Sequence, residues 1–179
     1  MNKLNWGCGD KILEGWTNVD HEWFGGNIIS DIRKEPLPFA DNHFDVIVAN
    51  HALSMLDYQV LPKALEELYR VLKPGGIIRI CDFDPIQAFE KFQKKDSKGL
   101  IIPDDVEPTL DGKFSAYLTW YGQRLSLLTT KTWVDKMGKA GFKAHGSNYQ
   151  TTGYITEEAK VALGQDSRRT ESNFIEGTK

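Results

Sequence analysis

Lys3-Leu4-Asn5-Trp6-Gly7-Cys8-Gly9 opens the first apolar run and ends it on a glycine turn; Gly15-Trp16-Thr17-Asn18-Val19-Asp20 then ends a second run on an acid. Strands that stop at glycines and acids fit an open sheet that binds a ligand along its carboxyl edge. Residues 27–31 read as a third strand, closed by Asp31. Phe44-Asp45-Val46-Ile47-Val48-Ala49 is close to continuously apolar, as in a parallel strand buried on both faces, and Asn50-His51 follows it. Leu61, Leu65, Leu68 and Leu72 recur at helical spacing, with Ala64 and Val71 widening the stripe. This predicts a helix over 59–72, stopped by Lys73-Pro74-Gly75-Gly76, with Glu66 and Arg70 paired on its wet face. Residues 77–81 form the next strand, followed by Asp82 and Asp84. The expected fold is a single Rossmann-like, doubly wound, mostly parallel α/β sheet.

Beyond it the pattern loosens. Helices are expected over 86–95, 114–128 and 132–140, a loop over 98–112, and strands over 142–144 and 172–176. The whole of 1–179 reads as one domain, with 83–130 a helical insertion after the fifth strand, folded over the sheet as a lid on the acceptor side. Phe114, Tyr117, Trp120 and Tyr121 lie at helical spacing in it and serve either its core or a pocket wall.

Composition removes several function classes. Hydrophobic residues are 40% and charged residues 26% of the 179, which fits a globular chain and not a fibrous or wholly disordered one. No apolar stretch approaches the ~18 residues that span a bilayer, and Met1-Asn2-Lys3-Leu4 runs straight into a strand. A cytoplasmic protein without signal peptide, membrane partner or N-terminal cap is expected. Two cysteines, Cys8 and Cys81, are too few for a disulfide framework, a four-cysteine zinc site or a three-cysteine iron–sulfur centre, so no metal is expected. The net charge of −3 offers no basic field to nucleic acid. Nothing in the sequence sets the oligomeric state.

The strand ends carry the chemistry. Glycines let a ligand approach the backbone, and free N–H groups there hold a carboxylate. An acid ending the second strand accepts hydrogen bonds from two ribose hydroxyls, and one ending the third accepts from an exocyclic adenine amine. A nucleoside with an amino-acid tail fits this set. A dinucleotide does not: Ile12 stands where a third glycine belongs, and Asp20 follows Gly9 too closely. Lys73-Pro74-Gly75-Gly76 lacks the ending of a phosphate loop.

At these residues the chain resembles class I S-adenosylmethionine-dependent methyltransferases, in particular the small bacterial and phage-type members of the methyltransferase-11-like group. The resemblance rests on Leu4-Asn5-Trp6-Gly7-Cys8-Gly9, Gly15-Trp16-Thr17-Asn18-Val19-Asp20, Asp31-Ile32-Arg33, Leu37-Pro38-Phe39-Ala40-Asp41-Asn42-His43-Phe44-Asp45 and Leu68-Tyr69-Arg70-Val71-Leu72-Lys73-Pro74-Gly75-Gly76. It implies S-adenosylmethionine as cofactor. Gly7, Cys8 and Gly9 would then meet its methionine part, Asp20 its ribose, Asp31 and Ile32 its adenine, and Asn50 its sulfonium end, with His21 also among the cofactor-binding residues. Transfer would depend on alignment of the acceptor with the methyl group.

His51 is the candidate general base; its plain alternative is a residue that holds the loop after the strand. The family often carries Glu-His three and four residues later, where this chain has Ser54 and Met55. That departure keeps open a second reading, an inactive cofactor-binding module. Asp82 and Asp84 orient an acceptor hydroxyl or cap the next element, and Arg168 and Arg169 grip an anionic acceptor or pair at the surface with Glu171. Asn50-His51-Ala52-Leu53 matches neither the Asp/Asn-Pro-Pro-aromatic run of DNA amino-methyltransferases nor the Pro-Cys of cytosine-C5 enzymes. By family analogy, the expected activity is methyl transfer to an O or N atom of a small polar acceptor, sugar-linked if the analogy extends so far.

Overall fold

In a computed structural model that describes residues 1–179, the chain forms one seven-stranded sheet. Its strands are β1 (Lys3–Trp6), β2 (Thr17–Asp20), β3 (Ile28–Ile29), β4 (Phe44–Asn50), β5 (Leu72–Phe83), β6 (Lys143–Ser147) and β7 (Ser172–Thr178), in the spatial order β3-β2-β1-β4-β5-β7-β6. The first five are parallel neighbours, and β7 runs antiparallel between β5 and β6. The order reverses between β1 and β4, so their carboxyl ends flank the crevice where such sheets bind ligands.

One face is apolar. The helix α1 (Leu61–Val71) turns Leu61, Ala64, Leu65, Leu68 and Val71 inward, all fully buried, and α4 (Thr130–Lys139) adds Trp133 and Met137. They close over Leu4, Ile47, Ile78, Ile80 and Ile175. Each buried leucine is worth about 1.5–3 kcal/mol of transfer free energy. Arg70 does not pair with Glu66. It bonds Glu67 at 2.8 Å and Asp41 at 2.7 Å, since those acids face the loop that α1 packs on.

The opposite face was barely legible. A helix over 157–163 was not expected, yet α5 (Glu157–Leu163) packs on β4 and β5, with Ala162 against Val46 and Val48. Beside it a buried ion network replaces apolar packing. Arg79 in β5 is 1% exposed; it bonds Asp166 at 2.6 Å and Glu176 at 2.8 Å, and donates to the carbonyls of Asn148 and Thr151. The network ties residues 148–166 to the sheet.

The insertion contains α2 (Pro85–Gln93) and α3 (Leu110–Thr119). The helix expected over 114–128 stops at Thr119, because Trp120, Tyr121 and Gly122 take consecutive left-handed conformations. Phe114 stacks on Phe92 and Tyr117 meets Phe83 edge-on, so these rings serve the core of the insertion. No helix is long and apolar enough to cross a membrane.

Candidate active site

Gly7 ends β1 at φ +67°, a conformation that glycine adopts without strain. A side chain there is excluded as well, since a Cβ would lie 2.1 Å from that of Ala52. The turn folds back on β2. The Gly7 and Cys8 N–H groups both donate to the Val19 carbonyl (2.8 and 3.1 Å), and the Gly9 N–H donates to Asp20 Oδ2 at 2.8 Å. The backbone donors expected to be free for a carboxylate are therefore already bonded. No helix follows; residues 10–16 form a loop into β2.

Asp20 is nine-tenths buried. Its Oδ1 accepts from the His21 N–H at 2.7 Å and faces His21 Nδ1 at 2.6 Å. A carboxylate has about four acceptor positions, so capacity for hydroxyl donors remains. Asp31 is clasped bidentately by Arg33, Nε to Oδ1 at 2.7 Å and Nη2 to Oδ2 at 2.9 Å. That guanidinium holds its carboxyl well below the usual range.

Two cavities meet at this edge. The first, about 280 Å³, is lined among others by Gly9, Asp20, His21, Phe24, Asp31 and Ile32. The second, about 340 Å³, is lined by Cys8, Lys11, Asn50, Gln165 and Arg168 among others. Gly7 and His51 line both. Every residue proposed from sequence for the cofactor thus lies on this pair of cavities, but they divide: Cys8 and Asn50 face only the second. Asn50 Nδ2 donates to the Gln165 carbonyl at 2.8 Å. Burial, with Asp20 beside it, pushes the Cys8 thiol up to about 11, which leaves it un-ionised at neutral pH.

His51 sits at the neck, at φ +52°. Its Nε2 lies 2.9 Å from Ser172 Oγ, which itself lies 2.9 Å from the Arg168 carbonyl. Ser172 gives its one proton to that carbonyl and so accepts from His51 Nε2–H, which leaves Nδ1 unprotonated, buried and without a partner. Burial, and then the charges of Arg168 and Arg124, push the imidazole down to about 3. Asp82 is fully buried; desolvation raises its carboxyl, which accepts from the Ser54 and Phe83 N–H groups (2.9 and 2.7 Å). Asp84 caps α2 through the Ile86 N–H at 2.9 Å. Both acids, at the end of β5, accept from backbone N–H groups.

Sequence reasoning missed Gln123, which reaches the first cavity from the insertion, and Phe24, which walls it. Lys11 was unmarked too, since a lone lysine in a loop carries no signal. Arg168 and Arg169 form no ion pair with Glu171, which accepts instead from the Tyr117 hydroxyl at 3.1 Å. Arg168 faces the second cavity and its neighbour Arg169 a third.

A family model described as a methyltransferase domain matches residues 18–80. The ubiquinone/menaquinone biosynthesis C-methyltransferase UbiE of Haemophilus ducreyi is 40% identical over 81 residues, which is 41% of this chain and 30% of that protein. The UbiE of Hydrogenovibrio crunogenus is 34% identical over 103 residues, 52% of this chain and 40% of that one. The matches thus span less than half the length of these relatives. The crystal structure of a SAM-dependent methyltransferase from Archaeoglobus fulgidus superposes with a TM-score of 0.65 at 15% identity, over 99% of this chain and 86% of that one. That of a possible histamine N-methyltransferase from Thermotoga maritima gives 0.56 at 17%, over 99% and 82%. With the strand order, the glycine turn and the acid closing β2, these likenesses show a methyltransferase domain over residues 18–80 and, across the chain, the fold of class I methyltransferases, whose cofactor is S-adenosylmethionine.

Proposed function

We propose that the chain transfers a methyl group from S-adenosylmethionine to an O or N atom of a small polar acceptor. The observation that carries this reading is the pair of cavities joined at Gly7 and His51 over the ends of β1, β2 and β4. Asp20 and His21 would hold the ribose, Asp31 and Ile32 the adenine, with Phe24 as a wall. Gly7, Cys8, Gly9 and Asn50 would line the methionine part. Its carboxylate would meet Lys11 and Arg168, because the N–H groups of the glycine turn are spent. When bound, the cofactor supplies an electrophilic methyl for in-line displacement.

The chain's own contribution is orientation and exclusion of water. At about 3 the His51 imidazole is a weak base at neutral pH. Held by Ser172, the ring keeps the neck between the two cavities in shape, and the acceptor's own lone pair does the attack. The insertion, placed against the first cavity by Gln123, shapes the acceptor side of one domain over 1–179.

Titration calorimetry with S-adenosylhomocysteine tests the cofactor site. Wild type binds, and Asp20→Ala loses at least 100-fold in affinity; an unchanged affinity removes the ribose contact. A methyl-release screen over sugars, small amines and quinols then tests transfer. Turnover on a quinol alone, with the methyl on carbon, would replace the polar acceptor by the reaction named for the UbiE relatives. Binding without turnover on any class gives the inactive module that Ser54 and Met55 suggest.

A further inference from the structure

A third cavity, about 420 Å³, opens beyond Ser172 between the end of β5, the start of β7, the turn after β6 and the start of α4. Its lining is nearly all polar. Gln87, Asn148 and Asn173 bring carboxamides, Thr130 and Thr151 hydroxyls, and Arg169 a guanidinium. Tyr149 and Phe174 supply the apolar surface, their rings 5.8 Å apart at 68°.

Two details, at Arg169 and Asn173, point to a ligand. Arg169 is exposed and pairs with no carboxylate; its guanidinium lies 5.8 Å from the Tyr149 ring centre. Asp84, the one acid on this cavity, accepts from the Ile86 N–H and from Gln87 Nε2 at 3.1 Å, and its charge is one that Arg169 must outweigh for an anion to bind. Asn173 is 4% exposed and donates Nδ2 to the Leu128 carbonyl at 3.0 Å, yet its Oδ1 has no donor. A buried carboxamide oxygen left unpaired is costly. A planar guanidinium suits bidentate capture of a phosphate or carboxylate, and carboxamides beside an aromatic ring suit a hydroxylated ring.

We infer that this cavity binds a phosphorylated polyol or sugar. Arg169 grips the phosphate, and Asn148 and Asn173 bond the hydroxyls. Ser172, buried between this cavity and the cofactor cleft, lines the one and holds His51 through its hydroxyl on the other side. That this molecule is the methyl acceptor rests on the function proposed above; that the cavity binds it does not.

The test is calorimetry on the full chain at fixed ionic strength, with ribose 5-phosphate, glucose 6-phosphate, glycerol 3-phosphate, free glucose and inorganic phosphate as probes. At least one phosphorylated polyol is expected to bind ten-fold or more tightly than inorganic phosphate or glucose. Arg169→Gln is expected to weaken it at least ten-fold and to leave S-adenosylhomocysteine affinity within two-fold. Asn148→Ala is expected to weaken the phosphorylated polyol several-fold and inorganic phosphate not at all. Thermal unfolding confirms that both surface variants fold. No binding of any phosphorylated probe, equal affinity for inorganic phosphate, or an unaltered affinity in Arg169→Gln overturns the inference. Loss of S-adenosylhomocysteine binding in wild type, with Arg169-dependent polyol binding intact, instead overturns the methyl-transfer reading and leaves the cavity standing.

Discussion

The two faces of the sheet are built on different physics. Under α1 and α4 the strands present Leu4, Ile47, Ile78 and Ile80, and stability comes from apolar area removed from water. On the other face α5 covers only Val46, Val48 and their neighbours, and the space beside it holds Arg79, Asp166 and Glu176. An apolar contact has no direction, so it fixes packing loosely in register; a buried guanidinium with two carboxylates and two carbonyls fixes its partners to fractions of an ångström. That difference matters because Gln165, Asp166, Ser167 and Arg168 are consecutive and all line the second cavity. The polar face supports the site, while the apolar face supports the sheet.

Arg79→Ala is the most severe way to break this contrast. It strands two carboxylates whose side chains are fully buried, and the expected cost is about 3–5 kcal/mol by chemical denaturation. It should also weaken S-adenosylhomocysteine binding in the fraction that folds, because Asp166 no longer anchors the cavity wall. Leu65→Ala, on the other face, should cost about 2–5 kcal/mol through its lost contacts and residual cavity, with cofactor affinity unchanged among folded molecules. Equal effects of the two variants on binding would erase the division of labour between the faces.

The same contrast explains what the sequence disclosed. The apolar face and strand ends 3–83 follow periodicities of two and 3.6, so Leu61, Leu65 and Leu68 announce a helix and Gly7, Asp20 and Asp31 a site edge. Strand β3, at one edge of the sheet, shrinks to Ile28 and Ile29. The polar face has no period. Arg79 inside Ile77-Ile78-Arg79-Ile80 looks like a solvent-facing residue until Asp166 and Glu176, far away in sequence, are brought to it. The short α5 did leave a trace in Thr156-Glu157-Glu158, a cap followed by acids in the first turn. Trp120 and Tyr121 look helical by spacing, and nothing in their composition shows that the chain turns left-handed there.

The neck between the cavities gives a pH test. The His51 imidazole is pushed down to about 3 in the fold and titrates near 6.5 when unfolded. The unfolded chain therefore takes up the proton first as pH falls, and the fold loses stability from 6.5 towards 3, by up to about 1.4 kcal/mol per unit. Asp82 acts in the opposite sense, since its raised carboxyl holds a proton more readily in the fold, so this contribution declines as pH rises. His51→Asn isolates the histidine term, and asparagine tolerates the left-handed backbone at this position. The difference between wild-type and variant stability should slope between pH 6.5 and 4.5 and be flat above 7; a flat difference throughout would mean that water reaches the ring.

The finest discrimination uses one chemical change on both faces. Thr156 caps α5 by accepting from the Ala159 N–H at 3.2 Å, and Thr129 caps α4 by accepting from the Thr132 N–H at 3.4 Å. Thr156→Ala and Thr129→Ala each remove one capping acceptor, at a cost of about 1 kcal/mol. If stability alone governed the site, the two variants would bind S-adenosylhomocysteine alike. Helix α5, however, leads directly into Gly164 and Gln165 on the second cavity, whereas α4 leads into β6 on the far edge of the sheet. Thr156→Ala should therefore raise the dissociation constant about two- to three-fold while Thr129→Ala leaves it unchanged, a difference that calorimetry resolves at matched temperature.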